Sequence, residues 1–260
     1  MDYSISLNSA RVISTLVNDF NKSAERLASG LMINSAKDSP AGLAVRELLR
    51  ADIATGRQTS RNISDGISLV QTASGAAGSV STALVRMKKL AIQASSGTYS
   101  DSQKQIMQDE FAELAAEISQ VTTETNFNGN TLLGPAGKEI AISVGNGQTI
   151  TLNSDSFDID LSGVDLVSDA EGTIADIDTA IIDVSNYQAG LGASYGRLES
   201  SLSVVEIQTE NIISSESRIS DVNIAQEITS MLATKIAIEA ATALLVHSAS
   251  MSETASKLLA

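Results

Sequence analysis

The sequence predicts an all-α fold with one small β-hairpin, an elongated helical bundle or coiled-coil rod formed by both halves of the chain. Three observations predict it. Apolar residues recur at alternating spacings of three and four over long stretches, which keeps one seam of a helix facing a partner. The only prolines in 260 residues are Pro40 and Pro135, so long helices can run unbroken. Aromatic residues make up 3% of a chain that is 43% hydrophobic, which suits thin aliphatic layers.

The amino-terminal helix is predicted to end before Ser39-Pro40, because a proline disfavours helical backbone in the residue that precedes it. The apolar residues of this helix are Ile13, Val17, Phe20, Ala24, Leu27 and Leu31. They alternate four and three residues apart, which gives a narrow seam suited to a single partner helix.

A second, longer helix is predicted from Leu49 to Leu84, where the same alternation continues. Small seam residues would let a neighbouring helix approach closely, at some cost in helix propensity. These residues are Gly56, Ser60, Ser74, Ala77 and Ser81. After a turn near Gly97, Asp101 or Ser102 is predicted to cap a third helix. The apolar face of the third helix is Ile106, Phe111, Leu114, Ile118 and Val121.

A β-hairpin is predicted near residues 138–153. Ile140, Ile142 and Val144 alternate with polar residues, and Ile150 and Leu152 do so again. The Gly-Asn-Gly sequence between the two runs supplies turn positions with positive φ.

The carboxyl half contains the strongest periodic signal. From Ile174 to Ile219 the spacings of three and four alternate without a slip, which predicts one long helix of coiled-coil type. After Asp221 the chain becomes rich in alanine, and its apolar arc is broader than one seam. A single partner helix would leave part of that arc in water, so this segment is expected to contact other copies of the chain.

The residues predicted to contact other subunits therefore lie in the two terminal segments. They are Ile13, Val17, Phe20, Leu27, Leu31, Ile228, Met231, Leu232, Ile236 and Leu245.

Charge and composition exclude several classes of protein. A formal net charge of −14 argues against nucleic acid or an anionic membrane as a partner. The chain has no cysteine, so no disulfide stabilises it. No cleavable signal is expected in the first ten residues. The apolar tract from Ile236 to Val246 is about half of the roughly 20 residues that a membrane helix needs, so no span is predicted.

The sequence also predicts no enzyme, no metal site and no cofactor. His247 is the single histidine, without a second one at metal-binding spacing. The glycine-rich run from Gly190 to Gly196 lies inside a helical pattern with no strand before it, unlike a dinucleotide-binding loop. We interpret its small residues as a place where helices approach closely.

Several motifs are similar to those of one family. The segment Ala24–Ala44 reads AERLASGLMINSAKDSPAGLA, and shorter matches are Asn62–Gly66, Met87–Gln93, Asn126–Gly129 and Arg218–Glu227. Together they resemble bacterial flagellin, over roughly residues 1–135 and 173–260.

The resemblance implies a structural subunit that polymerises into the flagellar filament for motility, secreted through a type III channel to the cell exterior. Residues 1–40 and 221–260 would form an inner coiled-coil domain, and residues 41–220 an outer one. Residues 130–172 are too few for an additional outer domain. The implied partners are copies of the chain itself, an export chaperone at the carboxyl-terminal segment, and the filament cap and hook junction proteins.

Three residues carry a further implication of the resemblance. In many flagellins the positions that match Arg86, Leu90 and Glu110 contact a Toll-like immune receptor, and they also lie where subunits stack. Both interpretations stay open from the sequence.

Two alternatives stay open within the structural class, a hook–filament junction protein and a minor flagellin. Asn223 stands where flagellins usually have aspartate, and the tail from Val246 to Ser252 lacks their usual Gln/Asn-rich run. An alternative from another class is a secreted, membrane-active protein like the type III translocators, which would insert a carboxyl-terminal amphipathic helix.

Overall fold

The structure is a computed structural model, and it describes residues 2–133, 139–145, 147–152, 159 and 164–259. Within these residues it contains five helices and two pairs of short antiparallel strands. The helices are α1 (Asp2–Ser29), α2 (Pro40–Ser95), α3 (Asp101–Glu124), α4 (Ala170–Ser220) and α5 (Ile224–Leu259). The strands are β1 (Asn126–Phe127), β2 (Asn130–Thr131), β3 (Ile140–Gly145) and β4 (Gln148–Leu152). The predicted helical fold class with a small hairpin is confirmed.

The chain divides into two compact units. The terminal unit comprises Met1–Ile53 and Glu210–Ala260, and the central unit comprises Ala54–Thr209. The predicted inner and outer domains, divided at residues 40 and 220, concern positions in an assembly and stay a prediction.

α2 runs for 56 residues because its proline stands at its first position, where the missing N–H removes no helical hydrogen bond. The Ser39 side chain accepts a hydrogen bond from the Gly42 N–H at 3.1 Å and caps this end. From Val70 onward the buried residues keep the alternation of three and four, but along a line that includes Ala73 and Val80. The predicted seam residue Ser74 is exposed, because the buried face of α2 is centred on Ala73 and not on Ser74.

The β3–β4 hairpin was predicted and is confirmed. Ile142 pairs with Ile150, and both side chains are buried. Gly145 and Gly147 flank the turn with φ values of 90° and 72°, in the region that glycine adopts without a steric cost. Of the predicted turn, Asn146 lies outside the described residues.

The β1–β2 hairpin was not predicted. Its turn residues, Asn128 and Gly129, have φ values of 51° and 80°, and such positive values favour the Asn-Gly sequence of a two-residue hairpin turn. The same dipeptide was present in the sequence, so the signal was available. The third helix was predicted to be capped by Asp101 or Ser102, but Ser100 is its N-cap.

The core of the central unit joins α2, α3, α4 and the hairpins. Among the described residues Phe111 is its single fully buried aromatic side chain, and most other core residues are Leu, Ile, Val or Ala. Two polar side chains, Gln108 and Tyr187, form hydrogen bonds that join separate segments of this unit. Gln108 on α3 donates to the Val164 carbonyl at 3.0 Å and accepts from the Leu166 N–H at 2.8 Å, which holds the return segment, residues 164–169, against α3. The Tyr187 hydroxyl donates to the Leu132 carbonyl at 3.0 Å.

Candidate functional site

The two ends of the chain meet in the terminal unit, where α1 packs along α5. Among the predicted contact residues of α1, Ile13, Phe20 and Leu27 are partly covered and Val17 is exposed. The three covered residues recur every seven positions, as a seam against one helix requires. The covered residues of α1 follow the predicted heptad spacing, but Leu7, Val12 and Val17 on the same helix are exposed.

α5 carries more apolar surface than α1 covers. Met231 and Leu245 are partly covered, but Ile228, Leu232 and Ile236 are 41%, 50% and 66% exposed. Ile228, Leu232 and Ile236 follow one another at spacings of four residues and therefore lie along one line of the helix. We call this line the α5 stripe. Further exposed apolar residues on α5 are Ile224, Leu244, Val246 and Met251. An apolar surface of this kind marks an interaction site on a protein in water.

α5 is also the one helix in the described part of the chain that is long and apolar enough to cross a membrane. The stretch from Ile224 to Met251 qualifies by length and composition alone, and none of it is buried. The prediction that no segment is long enough was therefore wrong on this criterion. It counted only the strongly apolar tract, whereas the flanking Ala, Thr and Ser residues extend the weakly charged stretch.

A short backbone ladder fixes the start of α5 against the end of α1. Gly30 ends α1 with a φ of 73°, which suits glycine at this position. The Met32 N–H donates to the Ser220 carbonyl at 2.7 Å, and the Val222 N–H donates to the Gly30 carbonyl at 3.0 Å. Leu31 therefore lies in a β-bridge opposite Asp221 and not in the helical seam where it was predicted.

One ion pair supports this ladder. The guanidinium of Arg26 lies 3.7 Å from the carboxylate of Glu227, and both side chains are mostly buried. It links the last turn of α1 to the first turn of α5, where an acidic side chain also favours the helix dipole. The backbone ladder and the ion pair together fix the position of the start of α5 relative to the end of α1.

The loop between α1 and α2 is organised around Asp38. Its carboxylate accepts from the backbone N–H groups of Asn34 and Ser35 at 3.3 and 3.1 Å, and Lys22 lies 3.1 Å away. The ammonium of Lys22, with further hydrogen bonds from Ser35 and Asn34, lowers the pKa of Asp38 to about 2. The ionised carboxylate therefore holds the loop in place through charge-assisted hydrogen bonds to Asn34, Ser35 and Lys22.

A buried arginine secures the other end of this loop. Arg46 donates from its guanidinium to the Ile33 carbonyl at 2.5 Å and forms an ion pair with Glu47 at 2.9 Å. Ile33 is 5% exposed. Sequence reasoning did not identify Asp38 or Arg46 as structural residues. The carboxylate of Asp38 accepts from residues that precede it, unlike an Asx turn, and nothing local marks Arg46 for burial.

Comparison with known proteins assigns both terminal segments to one protein family. The family model described as the bacterial flagellin N-terminal helical region matches residues 2–137, and the model of the flagellin C-terminal helical region matches residues 174–259. The chain belongs to the bacterial flagellin family.

Individual flagellins agree with this assignment. A flagellin from Halalkalibacterium halodurans is 35% identical over 250 residues, which cover 93% of this chain and 92% of that protein. A flagellin from Salmonella berta is 34% identical over 75% of this chain but only 40% of its own length. The crystal structure of Bacillus cereus flagellin matches with a TM-score of 0.51 at 32% identity, over 55% of this chain and 88% of that one.

The loop and the ladder lie within the ranges that match the two flagellin family models. Asp38 and Gly30 belong to the amino-terminal signature, and Asp221 and Glu227 belong to the carboxyl-terminal one. In this flagellin these residues contact one another within the chain. Part of the signature therefore serves the junction between the terminal helices.

The three candidate receptor residues lie on α2 and α3. Arg86 and Glu110 are exposed and form an ion pair of 2.6 Å between the two helices. Leu90 is 4% exposed and belongs to the core of the central unit. A protein that docks on this surface would touch Arg86 and Glu110 directly, whereas Leu90 would act through the position of α2. Their role stays a prediction.

Flagellin is a structural family, and the described residues hold no group of three or more His, Asp or Glu side chains that could bind a metal ion. His247 is exposed on α5. The run from Gly190 to Gly196 lies within α4. Neither feature has the surroundings of a catalytic or cofactor site.

Proposed function

We propose that this chain is a structural subunit that polymerises with copies of itself into a bacterial flagellar filament. The observation that carries the proposal is the unequal pair of terminal helices. α1 and α5 pack on each other within a flagellin-type chain, and yet the α5 stripe stays exposed. Covering such a stripe with neighbouring copies removes apolar surface from water, which favours association.

The finer assignment follows the resemblance to flagellins. Residues 1–40 and 221–260 form the inner coiled-coil domain of the filament, and residues 41–220 form the outer one without an additional domain. The subunit is secreted through the flagellar type III channel and acts outside the cell. An export chaperone would bind the carboxyl-terminal segment and cover the α5 stripe before assembly. The filament cap and hook junction proteins are the remaining partners.

The first test is polymerisation of the purified protein, seeded with sonicated fragments of its own filaments and followed by sedimentation and electron microscopy. Long helical filaments are expected. Short caps or rings on hook ends would instead favour a hook–filament junction protein. Deletion of residues 221–260 is expected to abolish assembly while the central unit keeps its helical circular dichroism.

Single substitutions in α5 refine this test. Leu232→Gln is expected to raise the critical concentration about three- to tenfold, because full burial of a leucine side chain contributes about 1.5–3 kcal/mol and half of Leu232 is still exposed in the monomer. Ser230→Gln is the matched control, since Ser230 is an exposed polar residue of the same helix. Equal critical concentrations for the two variants would contradict a role for the α5 stripe.

Limited proteolysis of the dilute monomer tests the same idea independently. The terminal segments are expected to be cut first and to leave a resistant core near residues 45–215, because their apolar surface lacks partners outside the filament. Terminal segments that resist protease in the monomer would count against the proposal.

A membrane-active protein is the alternative that the sequence left open, and α5 meets its requirement only in length and composition. Flotation with liposomes separates the two candidates. A filament subunit is expected to stay with the soluble fraction, whereas a translocator-like protein would float with the lipid. Between Ile224 and Met251 the charged residues are Glu227, Lys235 and Glu239, so no basic face would draw the helix to anionic lipid.

Receptor recognition is a separate, finer proposal. Arg86→Ala and Glu110→Ala are expected to weaken binding of the monomer to a Toll-like receptor, because each removes an exposed charge that a partner could contact directly. Unchanged affinity in both variants would remove Arg86 and Glu110 from that role.

A further inference from the structure

An open groove of about 580 Å³ lies in the central unit, between the β3–β4 hairpin and α4. The hairpin contributes Val144, Thr149 and Ile150, and α4 contributes Gly196, Arg197 and Ser200, among others. We call it the hairpin groove. It therefore combines an apolar wall with hydroxyl groups and one cation.

The helical wall of the groove has no covering neighbour in the described chain. A Cβ atom built on Gly196 would meet no atom within 4 Å, and the same holds for Gly190 and Gly192. Within the described chain no helix approaches these glycines closely, so the interpretation of the run as a place of close helix approach stays a prediction. Glycine inside a helix costs about 1 kcal/mol relative to alanine, and here no intrachain packing offsets that cost. Because Gly196 has no side chain, the backbone of another molecule can approach α4 closely at this position.

Arg197 gives the groove its chemical preference. Its side chain is exposed. Within the described residues Arg197, like Arg57, forms neither an ion pair nor a hydrogen bond, so its charge is available to another molecule. A guanidinium flanked by hydroxyl groups offers several donors at once, which suits a carboxylate.

The same chain carries a matching surface on α3. Asp109, Glu113 and Glu117 follow one another at spacings of four, so they lie along one line of the helix, and all three are exposed. We call this line the acidic stripe. Glu113 and Glu117 have no recorded partner in the described chain, and like charges at this spacing destabilise a helix by about 0.2–0.5 kcal/mol. A cation from another molecule would relieve that repulsion.

We propose that the hairpin groove of one copy receives the acidic stripe of a second copy, with Arg197 paired to Glu113 or Glu117. The inference rests on the proposed function, because it names a contact within the polymer. Groove and stripe are different surfaces of the same subunit, so the contact is heterologous. Repetition of a heterologous contact that does not close on itself produces an open polymer.

Charge reversal tests the contact in the full-length protein. Arg197→Glu and the double variant Glu113→Lys/Glu117→Lys are each expected to raise the critical concentration of seeded polymerisation about tenfold or more, because each places like charges across the interface. In an equal mixture of the two variants, every contact between unlike variants again pairs opposite charges, which favours alternating incorporation. The mixture is therefore expected to assemble near the wild-type concentration, although neither variant does so alone.

Filling the groove provides a second, charge-independent test. Gly196→Leu adds a side chain in open space and raises helix propensity, so the monomer is expected to be at least as stable as wild type. It should nevertheless block assembly. Gly192→Leu is the matched control, because Gly192 lies on the same helix with equally open surroundings but outside the groove lining. The control is expected to polymerise normally.

The outcomes separate this inference from the proposed function. If the wild-type protein forms no filaments, the proposed function fails and the inference fails with it. If wild type assembles and Arg197→Glu and Gly196→Leu assemble equally well, the groove is not a contact and the inference alone is overturned. If both groove variants fail but the mixture is not rescued, the acidic stripe is not the occupant, which also overturns the proposal as stated.

Discussion

Gly66→Ala tests how the β3–β4 hairpin is attached to α2. A Cβ atom on Gly66 would lie 2.5 Å from Cδ1 of Ile142, 3.1 Å from its Cγ2 and 3.2 Å from its Cγ1. Ordinary contacts between carbon atoms are about 3.5–4.0 Å, so the hairpin must move outward. Because Ile142 is 7% exposed and pairs with Ile150, it cannot turn aside without disturbing the core.

Two effects of opposite sign determine the magnitude. Overpacking of a core position costs about 1–3 kcal/mol, whereas replacing a helical glycine by alanine stabilises by about 1 kcal/mol. The net destabilisation by Gly66→Ala is therefore expected to be about 0–2 kcal/mol. Gly75→Ala is the matched control on the same helix, because a Cβ atom there meets nothing within 4 Å. That variant is expected to gain up to about 1 kcal/mol, so the two should differ by about 1–3 kcal/mol.

Urea unfolding followed by circular dichroism measures the difference, and hydrogen exchange of the β3 and β4 peptides locates it. Ile142→Val removes the methyl group nearest to Gly66, and alone it is expected to cost about 0.5–1.5 kcal/mol. Combined with Gly66→Ala it should cost less than the sum of the two single changes. If Gly66→Ala stabilises as much as Gly75→Ala, with unchanged hairpin exchange, the close packing deduced here does not exist.

Three further predictions concern polar groups. Burial raises the pKa of Tyr187 to about 12 from 10.0, so stability should fall as the pH rises between these values. Tyr187→Phe should abolish that fall and cost about 1 kcal/mol at neutral pH, since the Leu132 carbonyl loses its donor. The pKa of Asp38 is lowered to about 2 from 3.8, so its contribution is present above 3.8 and lost as the pH falls through about 2. Asp38→Asn should lower the unfolding midpoint at neutral pH and weaken the acid dependence, measured by urea unfolding at several pH values. Gln108→Ala should cost about 1–3 kcal/mol and speed hydrogen exchange in the return segment, whereas exposed Gln105→Ala should change neither by much.

The helices could be predicted from the sequence because their signal repeats. Over dozens of residues, the alternation of three and four averages out exceptions such as Ser74, and two prolines leave few places for a helix to end. The β3–β4 hairpin was predictable for the same reason, since its apolar residues alternate on both sides of a glycine-rich turn. The β1–β2 hairpin was also predictable from its turn residues, because Asn128-Gly129 is a typical two-residue hairpin turn. This dipeptide was not interpreted as a turn between strands.

What could not be predicted depends on pairings between distant residues. Leu31 continues the heptad spacing of α1, but the backbone of Ser220 and Asp221 draws it into a bridge after Gly30 ends the helix. Arg46 is buried because the Ile33 carbonyl needs a donor, and no periodic pattern contains that requirement. At the candidate site, spacing predicted that α5 has excess apolar surface. It did not show that Gly190, Gly192 and Gly196 have no neighbour within 4 Å, because periodicity alone cannot tell a close approach from an uncovered face.

The two units bury their apolar residues in different ways, and this difference connects the fold to assembly. In the central unit, alanines such as Ala73, Ala77 and Ala94 are almost fully buried in a core that needs no other chain. The central unit also exposes aliphatic side chains such as Ile106, Ile182 and Val204, but among the described apolar residues of α5 none is buried. The stabilisation available from covering them is therefore absent in the monomer and gained only on association. We therefore expect hydrogen exchange to find the central unit protected in the monomer and the terminal helices fully protected only in the polymer.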